Sequence, residues 1–210
     1  MEFPLTRISS LTIGSVERKN VMVGVLDLDL GSPAFKHIAG FVSLKFFEEL
    51  PFTADYARGL LTLETSRSLA ERAKTGKATK ISLRRRGPSL DVFTRIRLPG
   101  GQIAKVEVDS GSGRLILHEK FMPPLGLKPG AKNVTQRSGK DETGHIYQRY
   151  FSKLTGDVQL ASAPSVAHQR PRVMFQKIIY DGLMGTAFLK RFRVTFDLKG
   201  ARMIFGPRLP

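Results

Sequence analysis

The stretch Gly182-Leu183-Met184-Gly185-Thr186-Ala187-Phe188-Leu189-Lys190-Arg191-Phe192-Arg193-Val194-Thr195-Phe196-Asp197 decides how this chain is built, because it occurs twice. At an offset of 142 residues, and without a gap, it lies over residues 40–55, GFVSLKFFEELPFTAD. Gly40, Phe46, Thr53 and Asp55 recur as Gly182, Phe188, Thr195 and Asp197, and Leu61 and Leu63 then match Met203 and Phe205. The identities are few, but the order is common to both: glycine, short apolar helix, strand, Asp-containing turn, strand. Self-similarity at a fixed offset is the mark of a duplicated unit.

Local patterning agrees with the duplication. Phe41, Leu44 and Phe47, with Phe46 and Leu50, have helical spacing, as do Met184, Phe188, Leu189 and Phe192. Pro51 stops the first of these helices. Residues 52–56 and 60–64 read as strands around Ala57-Arg58-Gly59, and residues 194–198 and 203–205 do the same around Lys199-Gly200. Between the copies the pattern is mostly that of strands. Leu90, Val92, Thr94, Ile96 and Leu98 share one face of an alternating run, Pro99-Gly100-Gly101 turns it, and Ala104, Val106 and Val108 alternate onward to Asp109. Further strands are expected at 21–28, 146–151, 158–161 and 173–179, and residues 126–144, rich in Gly, Lys, Thr and Ser, form the candidate mobile loop. Short strands, many turns and two brief helices indicate an all-β pair of domains.

Composition sets outer limits. A chain of 210 residues with 41% hydrophobic and 25% charged residues can bury a real core. No run of 18 apolar residues is present and the first residues lack a signal-peptide pattern, so neither a membrane span nor a leader is expected in this chain. With no cysteine, disulfides, thiolate metal ligands and cysteine nucleophiles are excluded, while the compartment stays open, cytoplasmic by default and secreted or periplasmic if the start is truncated. The 34 basic against 18 acidic residues give a formal charge of +16, which attracts polyanions. Much of that charge lies in residues 67–97, where only Phe93 interleaves as an aromatic. That stretch therefore reads as a solvated basic connection, and nucleic acid ranks below peptide as a partner.

One constellation carries chemistry. Val106-Glu107-Val108-Asp109-Ser110-Gly111 puts an acid at the end of an apolar strand, followed by a hydroxyl and a glycine. The triplet alone arises by chance in roughly one chain of this length in ten at average residue usage. Its context is the informative part: a hairpin leads into it, Leu115-Ile116-Leu117 follows, and Asp181-Gly182-Leu183-Met184-Gly185 with its helix lies downstream. In this order the chain resembles the retropepsin/pepsin-like aspartic proteases, in particular bacterial two-lobed ones. Residues 84–210 match one lobe and residues 8–64 the rear part of another.

The resemblance implies an acid-protease fold of two related β lobes with short helices, the first lobe incomplete. Residues 1–66 would be the rear of the first lobe, 67–83 a basic linker, and 84–210 the second lobe. It also implies an aspartic-type endopeptidase, needing no cofactor or metal, that acts on peptide or protein substrates. There two carboxylates share one proton, and one activates a water while the other donates to the carbonyl oxygen. Asp109 would be one of the two, Ser110 would steady the turn by hydrogen bonding across the lobe interface, and Gly111 would let backbone approach the carboxylate. Residues 128–144 would lie where the family places its flap.

The departure from the pattern concerns the second acid. Subtracting the repeat offset from Asp109 gives a position 34 residues before Met1, and none of Asp27, Asp29 and Asp55 lies in such a triplet. In the first copy Ala39 stands for Asp181 and Ser43 for Gly185. A truncated start, a partner chain or homodimer supplying the second aspartate, and an inactive descendant acting as a binding module each account for this. Truncation ranks first, because copy one looks cut rather than eroded.

The remaining candidates have plainer readings. His37, His118, His145 and His168 have no paired ligand spacing, so surface or structural roles are expected and metal is not. Asp55 and Asp197 sit in equivalent turns, where local hydrogen bonding explains their recurrence. Asn133-Val134-Thr135 matches a glycosylation acceptor, a triplet common by chance.

Overall fold

A computed structural model describes residues 4–25, 38–87, 89–140 and 146–207. His37, His145, Asp27, Asp29 and the rest of residues 141–145 lie outside the described residues. The protein is mostly β with several sheets, an all-β fold. No helix among the described residues is long and apolar enough to cross a membrane. The chain divides into two compact units, Met1–Phe46 with Arg85–Leu90 and Phe47–Arg84 with Asp91–Pro210.

The first unit is built on a hairpin of β1 (Leu5–Ile13) and β2 (Val16–Gly24), in which Ile13 faces Val16. The two-residue connection has Gly14 at φ +59°, the left-handed backbone that such a turn requires. Arg18 Nε donates to the Phe46 carbonyl at 3.2 Å, and its guanidinium lies 5.8 Å from the Phe46 ring. The helix expected across residues 41–50 is a single 3₁₀ turn, Leu44–Phe47. Phe41 and Val42 are 70% and 51% exposed, so no packed face supports a longer helix, and Pro51 ends it from the other side. One bond of that turn repeats in the second copy: Phe46 N–H donates to Ser43 O, and Phe188 N–H to Gly185 O, both at 3.0 Å.

The second unit holds most of the remaining elements. They are β3 (Phe52–Asp55), β4 (Leu60–Leu63), α1 (Ser66–Thr75), β5 (Lys77–Lys80), β6 (Ser82–Arg86), β7 (Ser89–Arg97), β8 (Ile103–Val108), β9 (Leu115–His118), β10 (Thr135–Lys140), β11 (Ile146–Lys153), β12 (Val158–Leu160), β13 (Ala163–His168), β14 (Arg172–Gln176), β15 (Gly182–Met184), α2 (Thr186–Leu189), β16 (Arg193–Asp197) and β17 (Arg202–Gly206). One sheet runs β10-β11-β14-β9-β15-β8-β7-β12-β13, with β6 also pairing to β7. The second runs β4-β3-β16-β17-β5. The basic stretch 67–83 thus contains α1, opened by a reciprocal cap between Thr65 and Ser68, and β5, which pairs with β17. Residues 126–144, expected as a loop, include β10, a strand without apolar alternation that forms only through its pairing with β11.

In the second sheet the two copies of the repeat meet. β3 pairs antiparallel with β16 so that Thr53 faces Thr195, Phe52 faces Phe196 and Ala54 faces Val194. Thr53 and Thr195 are the same position of the repeat, so a local two-fold relation passes between them, with each copy's hairpin partner, β4 and β17, on the outside. The axis is marked by chemistry. The rings of Phe52 and Phe196 stack at 4.9 Å and 11°. Thr53 Oγ1 and Thr195 Oγ1 are 2.6 Å apart, and Thr53 also donates to Glu64 Oε1 at 2.5 Å, which leaves Thr195 as donor to Thr53.

Glu64 breaks the symmetry, since its repeat counterpart is Gly206. Its side chain is 1% exposed and also accepts from Arg72 Nε of α1 at 2.9 Å. Burial pushes the Glu64 carboxyl up, but hydrogen bonds from Ser68, Thr53 and Arg72, with the Arg72 charge, hold it below its ordinary value. A depressed carboxyl stabilises the fold above its unfolded pKa and loses that contribution as pH falls through its folded pKa. Glu64→Gln is therefore expected to cost about 2 kcal/mol at pH 7. In urea unfolding the gap between the two proteins should close in acid; a gap of equal size at pH 3 and pH 7 would count against the charged network.

Candidate active site

The hairpin of β7 and β8 delivers Asp109. Ala104 and Val106 of β8 are fully buried, which anchors the strand, and Asp109 follows at its end, half-buried, with Ser110 and Gly111 exposed. Asp109 N–H donates to Met184 O at 3.1 Å, continuing the parallel pairing of β8 with β15. Gly111 N–H donates to Asp109 Oδ1 at 2.8 Å, so the carboxylate is held by the backbone two residues on. A side chain at Gly111 would begin 3.1 Å from that oxygen, so the approach suits glycine.

Residues 112–114 are clamped from the second repeat copy. Gly185 N–H donates to Arg114 O at 3.1 Å, and Thr186 N–H and Oγ1–H both donate to Ser112 O, at 2.8 and 3.2 Å. β15 runs parallel to β8 and antiparallel to β9, so Gly182-Leu183-Met184 threads between the strand that ends at Asp109 and the strand that leaves it. Two glycines permit this. A Cβ at Gly182 would run into Ile116 O, and a Cβ at Gly185 into the carbonyls of Ser112 and Arg114.

The group that sequence reasoning missed is Tyr56, from the turn between β3 and β4. Its phenol lies near enough to Ser110 and Asp109 for both to act on its titration. Burial above all, and then the Asp109 charge, push the phenol up to about 12 against the lowering effect of the Ser110 hydroxyl. The nearby Asp55 explains itself: Oδ1 accepts from Ala57 and Arg58 N–H at 3.1 and 3.2 Å, as Asp197 Oδ1 accepts from Gly200 N–H at 2.9 Å. Both are turn aspartates. Nothing at the level of sequence pairs Tyr56 with Ser110; its repeat counterpart is Leu198, a core residue.

A raised phenol contributes stability below its unfolded pKa and loses it as pH rises through the folded value. Alkaline titration at the phenolate absorption band should show one tyrosine of four with a midpoint near 12, absent in Tyr56→Phe. If that variant titrates like the parent, the phenol does not lie beside Asp109.

The site offers a carboxylate held by backbone, a hydroxyl and a neutral phenol, a set suited to proton transfer. Among the described residues no group of three or more His, Asp or Glu is placed to hold an ion. His118 Nδ1 accepts from Lys120 N–H at 3.0 Å. His168 Nδ1 is buried without a partner, and burial together with the Arg191 and Lys190 charges lowers its pKa.

No family model matches the chain, and no curated protein matches it. Among solved structures, a retropepsin-like aspartic protease from Rickettsia conorii is similar at 16% identity over 61% of this chain and 97% of its own, with a TM-score of 0.44. Basic 7S globulin from soybean is similar at 13% identity over 74% of this chain and 50% of its own, with a TM-score of 0.40. Likeness at this level does not decide an activity, which must be argued from the site.

Proposed function

We propose that this chain carries one of the two carboxylates of an aspartic-type endopeptidase centre, Asp109, and that the second carboxylate comes from outside the described residues. The observation that supports this reading is the double restraint on residues 109–114. Gly111 N–H holds the carboxylate, and Gly185 and Thr186 hold the backbone that follows it. A polar turn that merely ended a strand would need neither. Asp109 then activates a water as general base while its partner acid protonates the substrate carbonyl oxygen, and the two exchange roles as the amine leaves.

A second reading has its own support. Asp-Ser/Thr-Gly occurs once in the sequence, and the phenol of Tyr56 stands beside Ser110 and Asp109. On that reading the chain is an inactive, aspartic-protease-like binding module, recruited to polyanions by its charge. The two are separated by assaying peptide cleavage at acid to neutral pH over a range of protein concentration, together with sizing. Cleavage that rises with the square of concentration points to two copies pairing their Asp109 residues. Cleavage that appears only when a longer form of the chain is made points to a second acid on the same polypeptide. No cleavage in either form favours the binding module.

A further inference from the structure

On the same sheet as the Asp109 strand, β10, β11 and β14 carry no acidic residue at all. Their register opposes like charges. Arg137 of β10 faces Arg149 of β11, and Lys153 of β11 faces Arg172 of β14. Residues directly opposite on one face sit about 5 Å apart at Cβ, where like charges destabilise pairing. Arg149, Phe151 and Lys153 alternate onto one face of β11, so both cationic pairs flank Phe151 on the same side of the sheet. Two guanidiniums lie over the Phe151 ring, those of Arg137 and of Arg114, each 5.8 Å from its centroid. Arg114 is the residue whose carbonyl is held by Gly185 at the end of the Asp109 loop. No carboxylate among the described residues pairs with Arg114, Arg137, Arg149, Lys153 or Arg172.

We infer that this face is the substrate-recognition surface for an acidic peptide segment in extended conformation, an inference that rests on the peptidase reading for the word substrate. Charge and spacing define the occupant. Arg149 and Lys153 are four residues apart, about 13 Å along a strand, with the apolar ring midway. An extended peptide laid along β11 meets that spacing with acids at its own first and fifth positions and an apolar residue at the third. The acid at the first position meets Arg149 through the N–H groups left over from its 2.9 Å bond to Gln176 Oε1, the guanidinium being held 3.7 Å from the Tyr147 ring centroid, and the acid at the fifth meets Lys153 and Arg172. Arg114 links the surface to the Asp109 loop, which brings the bound segment to the carboxylate. Single-stranded nucleic acid is the less suitable partner, because base stacking needs open aromatic faces and the Phe151 ring already carries two guanidiniums.

The test is binding, which does not depend on hydrolysis. Fluorescence anisotropy would compare three labelled peptides of equal length on the full chain at physiological salt. One has acids at positions one and five around a central leucine, one has the same composition with the acids adjacent, and one has lysines for the acids. The spaced acidic peptide is expected to bind about tenfold more tightly than the clustered one, from one additional charge-assisted contact, and the lysine peptide not at all. Arg137→Ala with Arg149→Ala should weaken it at least tenfold, while Lys77→Ala with Lys80→Ala on β5, which removes the same charge, should leave it unchanged. Equal loss in both double variants would mean that only net charge is read, and would overturn the inference. So would equal binding of the two acidic peptides, or tighter binding of an oligonucleotide of equal charge displaced by the same arginine changes. A chain that binds the spaced peptide but never cleaves it leaves the surface standing and removes the peptidase reading alone.

Discussion

Asp109→Asn is expected to lower peptide hydrolysis by the assembled centre about 10²- to 10⁴-fold, the range contributed by a positioned general base. The substitution is close to isosteric, and the amide oxygen can still accept from Gly111 N–H, the 2.8 Å bond that holds the side chain. The loop and its ties to Met184, Gly185 and Thr186 should therefore persist, with unfolding free energy within about 1 kcal/mol of the parent. What the amide lacks is the capacity to take a proton from water. The loss should fall in kcat with little change in KM, because on the proposed reading Asp109 contributes to the transition state rather than to the binding of flanking residues. The measurement is steady-state hydrolysis of an acidic peptide by whichever form of the protein proves competent, with a denaturant melt beside it. Retained activity with an intact fold would end the assignment of Asp109. Lost activity with a lost fold would say nothing about chemistry, and the melt is there to detect it.

How much of this was legible beforehand depends on whether a feature is local in the chain. The repeat was, and the pairing of Thr53 with Thr195 at its equivalent positions gives it a physical meaning that alignment alone lacked. The strands around Asp109 alternate cleanly, which marks them as strands in the sequence itself. By contrast, α1 is polar along much of its length and has no buried residue, so no apolar period announced it; only its Thr65 and Ser68 cap could have. β10 has the composition of a loop, TQRSGK, and is a strand because β11 supplies its hydrogen bonds. The apolar spacing at residues 41–50 promised a helix that exposed Phe41 and Val42 do not support. At the site, the acid, hydroxyl and glycine were visible as a motif. Tyr56 was not, and neither was the arginine pair over Phe151, because each depends on residues brought together only by sheet register.

Gly185→Ala is the substitution expected to damage fold and site together. Gly185 has an ordinary extended backbone, φ −87°, so nothing about its conformation demands glycine; the demand is one of space. A Cβ there would overlap the carbonyl oxygens of Ser112 and Arg114 and come within 2.8 Å of Arg114 N, all backbone atoms with no rotamer to yield. The strand must move away from the Asp109 loop, and that movement breaks the bonds from Gly185 and Thr186 N–H to Arg114 and Ser112. Overpacking together with two stranded backbone acceptors should cost about 3 kcal/mol. The mirror experiment lies in the other copy of the repeat, where Ser43 occupies the equivalent position and is exposed. Ser43→Ala should change stability by no more than about 0.5 kcal/mol. Thermal melts of the two alanine variants give the comparison directly. If Gly185→Ala were as benign as Ser43→Ala, the close contact between β15 and the Asp109 loop would not hold, and the restraint from which catalytic positioning is argued would go with it.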